Sequence, residues 1–537
     1  MRCCARLVRG PRILYVGCAI AAVAFGAAFA AMRYWMCDDA FISFRYADNL
    51  VRGHGLVFNA GERVEGFTNL LWTLWVAVGL RLGASAEAWA GASGTACHAA
   101  TLGLLAWRGW AIWQASARTG ERAAAWPLPA AAILAAVHRE GAVFATSALE
   151  TSAFTLLAFA GYLLVCPADP DAVTAAGRRV RRLVAAGAVL ALASLTRPDG
   201  ALLAAACGAW LVAGRDLRGG LAFAAGFAAL WLPATIARVA YYGDLFPNTY
   251  YAKSASTAWW AQGALYARLY FARYWPLVLA VPCAAIRTTA RSRSPGPRRA
   301  AALELALAAV YALYVMRVGG DFMFGRLLVP ITPYLVILVE RGLLELRLIV
   351  RAPALAGLCA AVLMMPSPVD GGRDVRGIVD EHDTYTVKFS HWAERADANG
   401  AALAALFDGL PVSACFFGTQ ARLVYRSRIA TAIECETGLT DRAIAHQGLA
   451  ERGRIGHEKH AELAYLRARG VDFVLARDYG SQALHLDDQH QLPPAPIDLG
   501  RIEARVITWD PVLMAQLAAR GVRIPDLPAE VRARLAK

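Results

Sequence analysis

Long apolar runs separated by short polar loops dominate this chain, and they decide its class before any motif is read. A run of about twenty apolar residues crosses a bilayer as a helix, because a helix satisfies its own backbone in lipid. The first run, Ile13 to Ala31, follows Arg2, Arg6, Arg9 and Arg12. That order is the order of a signal peptide. The run is long for one, however, and no small-x-small cleavage site stands before Arg33–Tyr34–Trp35, so it reads as a retained first helix. Hydrophobic residues make up 58% of the 537 positions, and charged residues only 18%, in clusters.

Those clusters carry the topology. Arginine-rich loops lie at Arg2 to Arg12, Arg108 to Arg122, Arg178 to Arg182, Arg215 to Arg218, Arg287 to Arg299 and Arg341 to Arg351. Positive loops stay in the cytoplasm, so the loops between them face outward. The outward set contains Asp38–Asp39, Ser147–Glu150, Arg197–Asp199, Tyr241–Lys253 and Gly319–Arg326. Every polar motif worth naming thus falls on one side. The same bookkeeping explains the net charge of +14 without nucleic acid, since no aromatic–basic stripe accompanies it. It predicts about eleven crossings, with the amino terminus inside and the carboxyl terminus outside. Leu70 to Ala106 must cross an odd number of times, so Leu70–Leu82 or Trp89–Ala106 is interfacial or re-entrant.

Two short segments, Leu183–Leu195 and Ala201–Ala213, flank Thr196–Arg197–Pro198–Asp199–Gly200. Each gives about 20 Å of helix against a core of about 30 Å, which puts the turn below the outer surface. Charges at that depth either pair to close the turn or serve a function. From about Ser367 hydrophobicity falls and no further span appears. Val471–Leu475 and Arg505–Trp509 read as strands, and Ala401–Leu406 and Val512–Ala519 as helices. The expected architecture is a membrane bundle over residues 1–366, whose first outer loop covers 34–69, and a soluble α/β domain over 367–537.

Cysteine adds little. Cys18, Cys97, Cys207, Cys283 and Cys359 lie in apolar runs, where the thiol packs as a small hydrophobe, and no pair has CxxC metal spacing. Cys415 and Cys435 stand alone in the tail, and an oxidising compartment allows them to bridge.

Asp38–Asp39 follows the first helix directly. Adjacent carboxylates raise one another's pKa, and enzymes use such pairs as general bases or as ligands for a divalent cation. A solvated pair at a membrane exit is the plain alternative. The surroundings are dense in polar groups: DDAFISFRYADNLVRGHGLVFNAGERVEGFTN runs from Asp38 to Asn69. This loop resembles the first outer loop of GT-C glycosyltransferases. More closely, it resembles the terminal β-(1→2) arabinofuranosyltransferases of mycobacterial cell-wall synthesis. Further matching pieces follow in order: SALET from Ser147, LTRPDG from Leu195, YGDLFPNTYYAK from Tyr242, GDFMFGR from Gly320 and GHEK from Gly456. The match runs from Asp38 to Lys459, and about the last eighty residues fall outside it.

The resemblance implies an enzyme on the periplasmic face of a bacterial inner membrane. Its donor would be a polyprenyl-phosphate sugar, arabinofuranose in this family, and its acceptor a cell-envelope glycan or glycoprotein. Asp38 becomes the key acid and Asp39 its partner. Fixed cations stabilise the charge of a leaving phosphate, a part that Arg197, Lys253 and Arg326 can play from the outer side. Lys253 and Arg326 read equally as snorkelling helix-end charges. His54 stands between Gly53 and Gly55 in a tight turn. Glu65, Glu150, Asp199 and Asp321 hold sugar hydroxyls or pair with arginine. His457 and Lys459 supply cations from the soluble domain, or form part of a solvated surface run. A hexosyltransferase, a lipid-linked sugar polymerase or flippase, and a transporter are the other readings. A transporter calls for internal repeats and mid-membrane charges on broken helices, and no repeat is visible.

Overall fold

A computed structural model describes residues 2–118, 127–168, 176–291, 295–417, 420–449, 452–454, 456–476 and 495–536, with side chains beginning at residue 11. In chain order the helices are α1 (Arg2–Ala31), α2 (Ala40–Val51), α3 (Leu70–Arg81), α4 (Ala86–Arg118), α5 (Ala130–Ala136), α6 (Arg139–Thr146), α7 (Thr151–Val165) and α8 (Ala176–Thr196). Then come α9 (Gly200–Ala213), α10 (Leu217–Tyr242), α11 (Asn248–Ala252), α12 (Trp260–Arg273), α13 (Trp275–Arg291), α14 (Pro295–Arg317), α15 (Thr332–Leu344) and α16 (Leu348–Met364). Two compact units divide the chain. One comprises Met1–Met36, Glu87–Ala237 and Ala258–Asp380; the other comprises Cys37–Ala86, Arg238–Thr257 and Glu381–Lys537.

The first unit is helical and apolar. Four stretches are long and apolar enough to cross a bilayer: Pro11–Ala31, α10, α14, and Arg326–Leu344, which ends in α15. Two sharply bent pairs, α6 with α7 (118°) and α12 with Trp275–Ala290 (85°), raise the number to six among the described residues. The shorter apolar helices here are α9 and α16, and the second unit contributes α3. These helices make the chain a membrane protein. The Arg326–Leu344 stretch is 89% buried and lies at the centre of the bundle, whereas α10 is 11% buried and leaves its apolar surface for lipid.

Three breaks in this unit matter for chemistry. Between α6 and α7, Ser147 Oγ accepts the Leu149 N–H (3.2 Å) and closes a turn that leaves Glu150 capping α7. Between α8 and α9, the turn puts Asp199 at the head of α9; α9 is short at 14 residues, as expected, whereas α8 extends to 21 because its start reaches back through the arginines at 178–182. Before α15, the loop Gly320–Arg326 is strapped by Val379: Phe324 N–H donates to the Val379 carbonyl and Val379 N–H to the Phe322 carbonyl, both at 2.9 Å. Gly325 sits at φ +76°, and a Cβ there would lie 2.6 Å from Glu140 Cγ, so only glycine lets this loop settle on α6.

The second unit holds a five-stranded sheet of order β2-β1-β3-β5-β4, with β1 (Ser413–Phe416), β2 (Thr431–Glu434), β3 (Phe473–Leu475), β4 (Pro496–Asp498) and β5 (Glu503–Val506). β1 runs parallel to both β2 and β3, while β5 runs antiparallel to β3 and β4. The expected strands are present with shifted ends, and the expected helices lengthen to Trp392–Leu406 and Pro511–Ala519. The second of these starts on Asp510, whose carboxylate accepts the Val512 and Leu513 N–H groups. Cys415 and Cys435 form a disulfide with Cα atoms 5.9 Å apart, inside the apolar cluster beneath the sheet.

Candidate functional site

The acid pair lies in the second unit, in the turn that opens α2. Asp38 is buried at 2% exposure, and both of its oxygens are engaged. Oδ2 accepts the Ala421 N–H at 2.9 Å and Oδ1 the Arg422 N–H at 2.8 Å. These amides open the helix Ala421–Ser427, whose first N–H groups have no partner of their own and favour a negative charge. Burial pushes the Asp38 carboxyl up to about 7, and nearby Asp39 adds to the rise, against the two amides and the Arg422 charge. Asp39 is half-buried beside it. The Arg422 side chain points to Asp397, which it grips at 2.7 and 2.6 Å, and its guanidinium lies 5.1 Å from the Phe41 ring centre.

The rest of the first outer loop is fastened to the same unit by groups that the sequence reading passed over. Buried Arg45 donates to the carbonyls of Phe58 (2.8 Å) and Ile429 (2.7 Å). Asn59 pairs edge-on with Ala432 of β2, accepting its N–H at 2.9 Å and donating to its carbonyl at 3.1 Å. Glu65 is buried and bonded to Arg238 Nη1 at 2.6 Å; burial pushes its carboxyl up to about 7 against the pull of that arginine. His54 is exposed in its turn. Gly55, at φ +92°, leaves no room for a Cβ, which would meet the Tyr241 hydroxyl at 2.5 Å.

Lys253 caps the end of α11, and no hydrogen bond or ion pair holds its ammonium among the described residues. Its methylenes run beside Gly456, where a Cβ would meet Lys253 Cε at 3.4 Å. The structure therefore brings YGDLFPNTYYAK and GHEK together. Within GHEK, Lys459 turns inward at 3% exposure and donates to the Gln447 carbonyl, and Glu458 pairs with Arg452 at 3.0 Å. His457 backs the turn by pairing with Arg454.

The remaining candidates lie in the first unit, and they meet. Glu150 Oε1 lies 3.0 Å from Arg326 Nη2 and 3.6 Å from Arg197 Nη1. Arg197 is fixed on Asp199 at 3.1 and 2.8 Å, and Asp199 also accepts the Tyr311 hydroxyl at 2.5 Å. Arg326 Nη1 stands 3.5 Å from Asp321. Three sequence segments far apart in the chain thus build one buried ionic cluster with Glu150 as its bridge. Both guanidiniums in it already face carboxylates, so the cluster works as a preorganised polar wall rather than as free positive charge. Tyr311 went unread because it stands inside an apolar helix.

The described residues hold no group of three His, Cys, Asp or Glu ligand atoms that includes Asp38 or Asp39. Asp38 spends both oxygens on amides. This donor set does not suit a divalent cation, and no chemistry is routed through one.

A helical membrane bundle of this kind defines a class. The chain has the fold of ArnT from Cupriavidus metallidurans in the apo state, with TM-score 0.52 over 87% of this chain and 93% of that one, at 14% identity. The sequence is more specific. It is 33% identical over 344 residues to the terminal β-(1→2)-arabinofuranosyltransferase of Mycobacterium tuberculosis, covering 59% of this chain and 53% of that protein. The enzyme of the same name from Corynebacterium glutamicum is 32% identical over 366 residues, 58% of this chain and 49% of that protein. The chain therefore spans about half the length of the curated relatives it matches. No family model matches it.

Proposed function

We propose that this protein is a membrane glycosyltransferase that moves arabinofuranose from a polyprenyl-phosphate donor to a cell-envelope glycan or glycoprotein on the periplasmic face. The observation that carries the reading is the Asp38–Asp39 turn, with Asp38 held by two backbone amides in a loop that resembles the first outer loop of arabinofuranosyltransferases. About eleven crossings, a bundle over residues 1–366 and a periplasmic domain over 367–537 belong to the same reading.

Over the whole reaction the glycosidic bond to phosphate breaks, the acceptor oxygen bonds to the anomeric carbon and the acceptor hydroxyl loses its proton. The acceptor proton goes to a carboxylate. A carboxyl titrating near 7, as Asp38 does, suits that exchange at neutral pH. The departing phosphate gathers negative charge and needs a cation. Lys253 is the candidate whose charge no described carboxylate answers, and it lies in the unit that holds the acids. Glu65, and the Glu150–Arg197–Arg326 wall with Asp199 and Asp321, offer acceptors and donors suited to sugar hydroxyls.

The test feeds purified protein with synthetic lipid-phosphate sugars that differ only in the sugar. Transfer from the arabinofuranosyl donor, lost in Asp38→Asn and weakened in Lys253→Gln, is the expected result. Transfer from a hexosyl donor alone would replace the sugar assignment and leave the class in place. No transfer from any lipid-phosphate sugar would remove the class.

A further inference from the structure

The helices that build the Glu150 cluster carry a second polar cluster at their opposite ends. Tyr162 lies in the last turn of α7, Arg182 early in α8, Glu304 in the first half of α14 and Arg341 in the last turn of α15; Arg108 of α4 joins them. Between 12 and 15 residues separate Tyr162, Arg182 and Arg341 from Glu150, Arg197 and Arg326 along the chain, which at about 1.5 Å per residue is roughly 18 to 22 Å. This end carries the arginine-rich loops.

Inside the cluster one chain of contacts is complete. Arg341 holds Glu304 through Nε at 3.1 Å and Nη2 at 2.9 Å. The Tyr162 hydroxyl donates to Glu304 and accepts from Arg108 Nη2 at 3.2 Å. Arg108 Nη2 also lies 3.9 Å from Cys166 Sγ, and Arg182 is within electrostatic reach of the same thiol. The rest is incomplete. Arg108 is fully buried, yet among the described residues its Nε and Nη1 have no hydrogen-bond partner, and the same two nitrogens of half-buried Arg182 have none. No nearby acid hydrogen-bonds either guanidinium among the described residues. Glu304 answers Arg341; Glu340 accepts the Ala131 N–H at 2.9 Å through Oε2, faces Arg341 and Arg351, and leaves Oε1 unbonded; Asp216 bonds Arg179 at 3.1 Å and reaches Arg182 only through its field.

A guanidinium with empty donor positions inside a membrane bundle is expensive unless an anion or polar group fills them. We propose that Arg108 and Arg182 form an anion site for a phosphate group. Phosphate suits the forked donors of arginine, and basic pockets between membrane helices take phospholipid headgroups by the same chemistry. The site is separate from the proposed transfer chemistry and does not depend on it.

The test uses the full chain in a maltoside detergent, which brings no phosphate. Inorganic phosphate and phosphatidylglycerol are titrated separately, and the melting temperature is followed by intrinsic fluorescence. Saturable stabilisation is expected, with half-saturation at least tenfold higher in Arg182→Gln and unchanged in Arg178→Gln, an exposed neighbour. Stabilisation by phosphatidylglycerol alone makes the ligand a lipid headgroup; stabilisation by inorganic phosphate alone makes it a soluble anion. If neither probe gives saturable stabilisation, or if Arg182→Gln saturates as the native protein does, a buried water fills the donors and the proposal is overturned.

Discussion

Asp38 combines two demands on one carboxyl group. It must be buried to be gripped by Ala421 and Arg422, and burial raises its pKa from 3.8 to about 7. The sign of the linkage follows. The unfolded chain loses this proton near 3.8 while the folded chain keeps it until about 7, so the group's contribution to stability falls as pH rises through that window and is fully present below it. Glu65, raised to about 7, adds in the same direction. Asp38→Asn should therefore flatten the slope of melting temperature against pH between about 4 and 7. An unchanged slope would show that Asp38 does not titrate as described. The same substitution turns an amide NH2 toward one of two backbone N–H donors, which costs about 1–3 kcal/mol and should lower turnover by orders of magnitude. The loop's acids, glycines and histidine were legible because their residue types stand out. Their partners were not. Ala421 and Arg422 act through backbone N–H groups, which no side-chain pattern announces, and Arg238 hides inside the apolar helix α10.

Helix breaks are where the sequence spoke most clearly. TRPDG between two short apolar segments proved to be a tight turn, and SALET and GDFMFGR proved to be breaks as well. What could not be read was that Glu150 would bridge the other two. Removing the bridge by Glu150→Gln leaves Arg326 and Arg197 short of one buried counter-charge, a loss of about 3–5 kcal/mol. Coupled to Arg326→Gln, the double variant should be less destabilised than the sum of the singles; simple additivity in chemical denaturation would deny the contact. Strand ends in the second unit were misjudged by about two residues, since Ile507 and Trp509 continue the apolar pattern past the last paired residue of β5. The Cys415–Cys435 bond fixes β1 to the chain just beyond β2. Both thiols should resist alkylation in the unfolded, unreduced protein and react after reduction; labelling without reductant would contradict the bond.

For the molecule as a whole, composition showed the membrane and loop charge proposed its sidedness. The helices bear out the first. The second calls for reporter fusions, one at Arg293, a position outside the described residues, and one at Gly500. Opposite sides are expected, and two cytoplasmic signals would sink the orientation. The grip on Asp38 has its own consequence in time. The carboxylate and its two amides are 383 and 384 residues apart in the chain. A ribosome adding about 5 to 20 residues per second needs roughly 20 to 80 s to cover that distance. Throughout that interval the nascent chain carries Asp38 without the amides that hold it. On the proposed function, a chain truncated before residue 421 would be inactive, which a transfer assay on the truncated protein checks.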